Sequence, residues 1–242
     1  MTSALHLAVI GARGRTGSAV VRLAGEHGLT VTRALGKGDL GELAAGGFDV
    51  VVDFSTAEIV PEVAAAVASS GVPLVSGTTG LTPTGERALA DASRKVAVLW
   101  EPNLSVGVHV LGALVRQAML ALGDGYDVEI VETHHRRKVD APSGTALRLA
   151  AIATESSARS LVHGREGRPG PRKPTEVGVH AVRGGDVVGD HSVHLLGDGE
   201  RLELVHRATS RDVFAHGALR AARWIATKPA GRYTLADMLA ER

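Results

Sequence analysis

A chain of 242 residues with 44% hydrophobic and 22% charged residues is long and apolar enough to bury a core, which excludes a disordered protein. The formal net charge is +1, so the chain lacks the excess of cations that nucleic-acid-binding proteins use to neutralise phosphates. There are no cysteines, which excludes disulfides, thiolate metal sites and cysteine nucleophiles.

The N-terminal stretch, MTSALHLAVIGARG, leads directly into a short apolar strand candidate and lacks the basic and long apolar regions of a signal peptide. No uninterrupted apolar run approaches the roughly 18 residues of a membrane-spanning helix. We therefore expect a soluble cytoplasmic protein with neither a membrane nor a nucleic acid as its partner.

Short apolar runs alternate with helix-like segments from residue 5 to about residue 103. Strands that are apolar on both faces and separated by helices form parallel sheets that are covered on both sides. The pattern therefore predicts an α/β domain with a Rossmann-like, doubly wound parallel sheet. The predicted strands are 5–11, 29–35, 48–55, 72–80 and 96–103, and the predicted helices are 18–27, 61–70 and 83–95.

The first strand is followed by a glycine-rich turn at the start of a helix. In VIGARGRTGSAVVRLA, Gly11, Gly14 and Gly17 are spaced so that backbone amides and a helix N-terminus can approach a pyrophosphate. No Gly-Lys-Ser/Thr follows, which excludes a triphosphate P-loop. The alternative is a turn that serves only the close packing of helix on strand. The expected dinucleotide contacts in this turn are Gly11, Ala12, Arg13, Gly14, Arg15, Thr16 and Gly17.

The end of the second strand bears on the choice of cofactor. An acidic residue there accepts the ribose hydroxyl hydrogen bonds of NAD, but residues 34–37 of this chain read Ala-Leu-Gly-Lys. The ammonium of Lys37 suits a 2′-phosphate, and no carboxylate is present at that position to repel one. We therefore predict that NADPH is preferred over NADH. In the alternative, Lys37 is an ordinary surface lysine and Asp39 supplies the acid.

Polar segments stand at the ends of three later strand candidates: DFS at 53–55, SGTTG at 76–80 and EPN at 101–103. The carboxyl ends of strands border the ligand crevice of doubly wound sheets. Gly77, Thr78 and Thr79 offer small size, amides and hydroxyls near the expected nicotinamide, although the same residue types are common in turns and helix caps.

The pattern changes after residue 103. An apolar helix is predicted over 106–122, followed by the strand YDVEIVETHH and a helix from about Ser143. Three strand-like runs then follow without helices between them. Their Gly-Gly-Asp and Gly-Asp-Gly links predict antiparallel hairpins. These runs are 177–185, 187–197 and 200–210.

Two further segments lie beside these strands. HGREGRPGPRKPTE, residues 163–176, has the glycine, proline and charge content of a mobile loop, either a lid or a solvated connection. DVFAHGALRAARWIATK predicts an amphipathic helix that packs back on the first domain. We expect a dinucleotide-binding domain of 1–103 that is completed by about 212–242, and an α+β domain of 104–211 with an open mixed sheet.

The stretch ETHHRRKVDAPSGTA, residues 132–146, places two histidines and three cations in five consecutive positions. Side chains alternate along a strand, so all five cannot share a face unless the chain turns there. Ser143 is a credible N-cap, with the amides of Gly144 and Thr145 at the start of a helix. A helix N-terminus beside Lys138 and histidines favours carboxylates, and a histidine that titrates near neutrality can exchange a proton. A solvated surface or a nucleic-acid patch is the alternative.

These motifs together resemble the dihydrodipicolinate reductase family. The likeness rests on the glycine turn, SGTTG, EPN and the specific His-His-x-x-Lys-x-Asp-x-Pro-Ser-Gly-Thr-Ala pattern, and it continues through RGGDVVGDHSV and HRATSRDVFAHGALRAARWI. It implies NAD(P)H-dependent reduction of the cyclic imine derived from 4-hydroxy-tetrahydrodipicolinate to tetrahydrodipicolinate, in diaminopimelate and lysine biosynthesis. It also implies a homotetramer joined through the C-terminal sheets, with 104–211 as the substrate-binding and oligomerisation domain.

The resemblance also assigns roles to single residues. His134 is the proton donor or acceptor, and Lys138 is the proton donor. The substrate carboxylates bind His135, Gly144 and Thr145 beside the N-cap Ser143. No metal is implied. The cofactor is lined by the turn 11–16, by Gly77, Thr78 and Thr79, and by Glu101, Pro102, Asn103 and Leu104.

The chain departs from the family pattern at three places. Glu101 and Leu104 stand where the family commonly has a small residue and a phenylalanine. Thr133 replaces a frequent alanine. The stretch 36–47 is shorter than usual, with a glycine where an acid often binds the ribose.

Other oxidoreductase classes fit less well. A short-chain dehydrogenase needs Tyr-x-x-x-Lys, but Tyr126 and Tyr233 are followed four positions later by Ile130 and Asp237. Two alternatives remain open: another NAD(P)-dependent dehydrogenase of similar layout that acts on an amino acid, and a dinucleotide sensor without catalysis. A sensor has no need of the proton-exchanging groups in the histidine and lysine cluster.

Overall fold

The computed structural model describes residues 4–155 and 159–241, and the chain divides into two compact units. Unit 1 comprises Met1–Val106 and Arg211–Arg242, and unit 2 comprises Gly107–Ser210. The strands in the described ranges are β1 (Leu5–Ile10), β2 (Leu29–Leu35), β3 (Val50–Asp53), β4 (Leu74–Ser76), β5 (Ala97–Trp100), β6 (Asp127–His134), β7 (Ser160–His163), β8 (Glu176–Arg183), β9 (Gly189–Leu196), β10 (Arg201–Ala208) and β11 (Gly231–Tyr233). The α-helices there are α1 (Arg15–Leu23), α2 (Val60–Ser70), α3 (Pro83–Ala92), α4 (Val106–Leu122), α5 (Gly144–Thr154), α6 (Asp212–Ile225) and α7 (Leu235–Ala240).

Unit 1 contains a six-stranded parallel sheet with the order β11-β5-β4-β3-β1-β2. Its side chains alternate between two buried layers. Leu7 and Val9 of β1 pack in one core with α1 and α6, whereas Ala8 and Ile10 pack in another with α2 and α3. The sheet is therefore covered on both sides, which confirms the predicted Rossmann-like α/β fold.

The first helix begins earlier than predicted. α1 starts at Arg15, directly after Gly14, so the glycine turn itself forms the helix N-terminus. The α-helix ends at Leu23, and a 3-10 turn continues to His27. Gly28, with φ of 65°, then ends the helical path, because glycine adopts this left-handed conformation at no steric cost.

Residues that follow unit 2 in the sequence complete unit 1. α6 buries its apolar stripe in the core beside β1 and β3, as its amphipathic pattern predicts. A Cβ on Gly217 of this helix would lie 1.7 Å from the carbonyl oxygen of Leu104, so the helix and the β5–α4 connection touch backbone to backbone. β11 then adds an edge strand beside β5, and α7 follows with a capping box between Thr234 and Asp237. The sequence patterns predict neither of these two short elements.

Unit 2 contains a five-stranded mixed sheet with the order β10-β9-β6-β8-β7. β6 and β7 run parallel to β8, whereas β9 runs antiparallel to both β6 and β10. One face packs on α4 and α5 through a core that includes Ile130, Val179 and Leu195. This sheet confirms the predicted open mixed sheet of an α+β arrangement.

The predicted hairpin between β8 and β9 is wrong. β6 lies between these strands, and residues 184–188 cross the end of β6 instead of turning back beside β8. In this crossing, the N–H of Gly184 donates to the carbonyl of His134 (2.9 Å), and the N–H of His135 donates to the carbonyl of Val187 (2.8 Å). β8 reaches its place by a parallel crossover that contains α5, which the local turn signal does not report. The second predicted hairpin, β9–β10, is antiparallel as expected.

The loop 164–175 is tied to the outer face of the unit 2 sheet, opposite the helices. There Glu129 accepts hydrogen bonds from Arg165 (2.8 and 2.9 Å), Arg172 (2.9 Å) and His180 (2.7 Å), a group that we call the Glu129 cluster. Burial acts to raise the Glu129 pKa, but these hydrogen bonds outweigh it and lower the pKa to about 2. A segment with the composition of a mobile loop is thus held by ion pairs, and the unpredicted strand β7 precedes it.

One described helical stretch, Val106–Gly125, is long and apolar enough by length and composition alone to cross a membrane. It consists of α4 and the 3-10 turn that follows. α4 buries Leu111 and Val115 in the unit 2 core, and a helix that lines the core of a folded domain passes the same test.

Candidate functional site

The glycine turn after β1 leaves no room for side chains. Gly11 has φ of 75°, and a Cβ on it would lie 2.4 Å from the carbonyl oxygen of Phe54. A Cβ on Gly17 would lie 2.1 Å from the carbonyl oxygen of Gly11. Both positions therefore need glycine, because a methyl group would overlap backbone atoms of the turn.

The same turn presents a helix N-terminus. The N–H groups of Gly11 and Ala12 donate to the carbonyl of Leu35 at the end of β2 (3.0 and 3.3 Å). The N-cap of α1 is Gly14, which has no side chain with which to cap the amides of the first turn. Two exposed guanidinium groups add positive charge, and the whole arrangement favours an anion such as a pyrophosphate. These groups belong to Arg13 and Arg15.

A buried carboxylate orders the neighbouring loop. Asp53, at the end of β3, is fully buried and accepts hydrogen bonds from the hydroxyls of Ser76 and Thr78, both at 2.8 Å. It also accepts the N–H of Ser55 at 2.9 Å, while the indole N–H of Trp100 donates to the Thr78 carbonyl at 2.9 Å. Asp53 thereby holds the segment 77–79, a role that sequence reasoning did not assign to it. The available signal was an acid at the end of an otherwise apolar strand.

A cleft of about 410 Å³ opens in unit 1. The hydroxyl of Ser55 is buried without a protein partner, and this residue lines the cleft. A Cβ on Gly77 would lie 2.3 Å from the ring of Phe54, so a larger residue here would displace that ring from the wall of the cleft. The crowded glycines, the uncapped helix N-terminus and the unpaired hydroxyl together fit a dinucleotide. The lining residues are Arg15, Thr16, Phe54, Ser55, Gly77, Thr78, Thr79, Pro102, Leu104, Arg211 and Phe214.

The predicted cofactor set and the cleft overlap in part. Arg211 and Phe214 line the cleft but carry no predicted role, because their segment contains no motif with its own chemistry. Glu101 is buried, with its N–H donated to the Ser76 carbonyl (3.1 Å). The side-chain oxygen of Asn103 accepts the N–H of Ser105 (2.9 Å). Of the predicted residues, those that line the cleft are Arg15, Thr16, Gly77, Thr78, Thr79, Pro102 and Leu104.

Lys37 lies in the exposed turn after β2 and does not line the cleft. The carboxylate of Asp39, the alternative acid, accepts the N–H of Gly36 (2.8 Å) and closes that turn. The turn begins at Leu35, whose carbonyl is hydrogen-bonded to the glycine turn. Lys37 thus follows the strand end that borders the ribose of a bound dinucleotide in this fold.

A second group of polar side chains is buried in unit 2, around Glu132 of β6. Its fully buried carboxylate accepts hydrogen bonds from both terminal nitrogens of Arg183 (2.7 and 2.8 Å). It is also bonded to Nδ1 of His134 (2.5 Å) and to the N–H of Ser143 (3.0 Å). Burial acts to raise the Glu132 pKa, but the hydrogen bonds, led by that of Arg183, outweigh it and lower the pKa. Glu132 is therefore an ionised carboxylate that links β6, β8 and the start of α5.

The N-terminus of α5 is built around Ser143. Its hydroxyl accepts the N–H of Ala146 (3.2 Å), which confirms the predicted N-cap, and it is also hydrogen-bonded to Nε2 of His191 (3.1 Å). Gly144 is exposed and Thr145 is partly buried in the first helical turn. The positive end of the helix dipole therefore faces outward at Gly144.

The chain turns within the basic run, residues 134–138, and this turn separates the charges. β6 ends at His134, and the N–H of Lys138 donates to the carbonyl of His135 (3.1 Å), which confirms that the chain leaves the strand here. The Lys138 side chain is only 21% exposed, and its Nζ lies 2.8 Å from Oδ1 of Asp140. The two intervening arginines are exposed. One cation of the three is thus largely covered and paired with a carboxylate, which relieves the repulsion within the run.

His191 on β9 is a site residue that sequence reasoning missed. It is buried, and its ring centroid lies 5.2 Å from that of His134 in an edge-on arrangement. Burial, followed by the nearby His134, lowers the His191 pKa to about 4, so this imidazole is neutral at pH 7. A Cβ on Gly189 would lie 2.9 Å from Nε2 of His134, so the glycine leaves space beside that nitrogen. The only available signal was the GDH triplet in a strand-like run.

Family models match almost the whole chain. The model for "Dihydrodipicolinate reductase, N-terminus" matches residues 5–104, and that for "Dihydrodipicolinate reductase, C-terminus" matches residues 107–239. The chain is 48% identical to the 4-hydroxy-tetrahydrodipicolinate reductase of Anaeromyxobacter dehalogenans over 97% of each protein. It is 46% identical to that of Myxococcus xanthus over 96% of this chain and 88% of the relative.

Solved structures share the fold. The chain is similar to a dipicolinate-bound dihydrodipicolinate reductase from Paenisporosarcina sp. TG-14, with a TM-score of 0.77 and 21% identity over 96% of this chain and 97% of that chain. A myo-inositol dehydrogenase from Corynebacterium glutamicum has a TM-score of 0.59 and 15% identity over 94% and 90% of the two chains. The sequence matches go further than the fold and confirm the resemblance seen in the motifs. The chain belongs to the dihydrodipicolinate reductase family.

Proposed function

We propose that this chain is a 4-hydroxy-tetrahydrodipicolinate reductase, which uses NAD(P)H to reduce the cyclic imine derived from 4-hydroxy-tetrahydrodipicolinate to tetrahydrodipicolinate. The reaction belongs to diaminopimelate and lysine biosynthesis. The observation that carries the proposal is the site in unit 2, where imidazoles, a largely covered ammonium and an outward-facing helix N-terminus occur together around Glu132. Full-length similarity to reductases of this name supports it.

Unit 1 would hold the cofactor, which supplies a hydride when it is bound. The glycine turn would bind the pyrophosphate through the amides at the start of α1, helped by Arg13 and Arg15. Asp53 would fix the loop 77–79 against the nicotinamide end, because it binds the hydroxyls of that segment. The further contacts proposed are Glu101, Pro102, Asn103 and Leu104.

Unit 2 would hold a dicarboxylate substrate. Its carboxylates would bind His135 and the α5 N-terminus at Ser143, Gly144 and Thr145, where the helix dipole favours negative charge. The reduced ring takes up one hydride and one proton. Lys138 would donate that proton, and His134 would donate or accept protons during turnover. The dipicolinate bound to the Paenisporosarcina reductase supports a dicarboxylate as the ligand class.

A direct assay tests this proposal. Oxidation of NADPH is followed by its absorbance after addition of freshly made imine precursor, and turnover that depends on both compounds is expected. A dehydrogenase of amino acids would instead oxidise or reduce another substrate, and a sensor would bind NADPH without oxidising it. Either result, obtained with folded protein, would overturn the assignment.

Lys37 is proposed to set a preference for NADPH. Replacing it with glutamate should lower the ratio of kcat/KM for NADPH to that for NADH by about tenfold or more, because the charge reversal repels the 2′-phosphate and restores an acid for the ribose hydroxyls. Lys95→Glu is the matched control. It changes an exposed lysine at the amino end of β5, the opposite edge of the same parallel sheet. An unchanged ratio in Lys37→Glu would remove Lys37 from the cofactor site.

We also propose a cytoplasmic homotetramer in which unit 2 provides the contacts between chains. The outer face of the unit 2 sheet, opposite the helices, is the surface that we propose for these contacts. Val182 of β8 and Val205 of β10 are 47% and 42% exposed.

A further inference from the structure

We propose that Glu132 is a positioning residue for His134: one buried carboxylate fixes both the proton-exchanging nitrogen of this imidazole and the amide of Ser143 at the substrate-binding helix N-terminus. This inference rests on the proposed function, because it concerns the His134 that the reaction would use. The motif pattern gives Glu132 no role of its own.

The contact with Glu132 fixes the tautomer of His134. Nδ1 lies 2.5 Å from Oε2 of Glu132, and an ionised carboxylate can only accept hydrogen bonds. Nδ1 therefore carries a proton in every state of the ring, and Nε2 is the nitrogen that gains and loses one. Nε2 also has space beside it, because Gly189 has no Cβ.

Arg183 and the Ser143 amide help to keep Glu132 charged and fixed in place. Arg183 binds both of its oxygens, and the same guanidinium donates to the carbonyl of Asp140 (2.6 Å), in the loop that leads from Lys138 to α5. The Ser143 N–H occupies Oε1, and His134 occupies Oε2. A shift of this carboxylate would therefore move the imidazole and the helix cap together.

The groups around the Glu132–His134 pair balance its charge. Arg183 and Lys138 are cationic, His191 is a neutral imidazole at pH 7, and Glu132 and Asp140 are paired with the cations. The carboxylate bonded to Nδ1 holds the ring in the orientation that leaves Nε2 for proton exchange. The charged and titratable groups that surround the pair are Lys138 and Asp140 of the turn, Arg183 of β8, His191 of β9 and His206 of β10.

The test uses the unmodified chain first. In protein labelled with 15N-histidine, the nitrogen shifts of neutral His134 are expected to report a proton on Nδ1. A neutral ring protonated on Nε2 would overturn the proposal. This measurement needs no turnover, so it decides the role of Glu132 even if the imine is not a substrate, whereas the NADPH oxidation assay decides the proposed function.

The second measurement uses Glu132→Gln, which keeps the shape and removes the charge. We expect kcat to fall by about 10–100-fold, as for other residues that orient an active group through a hydrogen bond. The 15N shifts of His134 should change as well, because the glutamine amide can donate as well as accept, so Nδ1 is no longer held as a donor by a carboxylate. KM for the imine should change little, since glutamine retains an oxygen for the Ser143 N–H. A residue that only holds the fold would lower kcat and leave the tautomer of His134 unchanged.

Glu129→Gln is the matched control. Glu129 lies three residues earlier on β6, is also bonded to arginine and histidine, and faces the opposite side of the sheet. Its loss should lower the melting temperature without changing the 15N shifts of His134. If those shifts change equally in both variants, or stay unchanged in folded Glu132→Gln, Glu132 does not position His134.

Discussion

Lys138→Ala is expected to lower kcat by about 10²–10⁴-fold, the usual contribution of a positioned general acid. The side chain is largely covered, and its ammonium is held 2.8 Å from Asp140, so its position is defined before substrate binds. Alanine removes the only covered cation of the basic run. Lys138 belongs to unit 2, whereas the glycine turn belongs to unit 1, so the Kd for NADPH should be nearly unchanged.

Arg137→Ala is the control for this prediction. It removes a neighbouring positive charge from the same run, but the arginine is exposed, so kcat should stay near that of the wild type. Steady-state rates with saturating imine and a fluorescence titration with NADPH separate the two effects. A wild-type kcat in Lys138→Ala would show that another group donates the proton. A large rise in the NADPH Kd would instead indicate a folding defect.

Gly17→Ala is expected to have the largest effect on cofactor binding. The added methyl group would lie 2.1 Å from the carbonyl oxygen and 2.7 Å from the carbonyl carbon of Gly11, and neither atom can move without opening the turn. Such overpacking costs about 1–3 kcal/mol, which corresponds to roughly 2–12 °C in melting temperature for a chain of this size. The amides at the start of α1 would leave their positions, so the NADPH Kd should rise by about tenfold or more.

Gly25→Ala provides the comparison. Gly25 lies in the 3-10 turn after α1, and a Cβ there would meet nothing within 4 Å. Its melting temperature and NADPH Kd, measured by thermal unfolding and fluorescence titration, should match those of the wild type. If Gly17→Ala binds NADPH as tightly as Gly25→Ala, the glycine turn does not hold the pyrophosphate.

Unit 1 could be predicted from sequence because its signals are local. Each buried strand is a short apolar run, and the turn between β1 and α1 requires glycine at fixed spacing, so pattern and spacing suffice. β11 was not predicted, because a three-residue edge strand shows no periodicity and is defined only by its pairing with β5. The predicted start of α1, residue 18, was three residues too late, because the last residues of the glycine turn already form the first turn of the helix.

Unit 2 depends more on contacts between distant segments. The Gly-Gly-Asp link after β8 has the composition of a hairpin turn, yet β6 occupies the place beside β8 that the hairpin would have used. A turn signal cannot report a strand inserted from about 50 residues earlier. The stretch 132–146 did identify Ser143 as the N-cap of α5, because an N-cap side chain accepts a hydrogen bond from an amide only three residues further on.

Two of the site residues that sequence reasoning missed, Glu132 and His191, have partners that are distant in the sequence. Glu132 is bonded to Arg183, 51 residues away, and His191 to Ser143, 48 residues away. A glutamate on an alternating strand looks like an ordinary surface residue until its partners are known. The family resemblance made up for part of this missing information. It assigned roles to His134 and Lys138 from the sequence motif alone, without knowledge of their neighbours in the fold.

The split composition of unit 1 has a consequence for synthesis on the ribosome. Apolar side chains on one face of the parallel sheet, such as Leu7 and Val52, pack with α6, which follows unit 2 in the sequence and is therefore translated after it. Unit 2 is continuous, so its own core can close before α6 is available to complete that face. Unit 1 thus begins first on the ribosome but is the second of the two units to be completed.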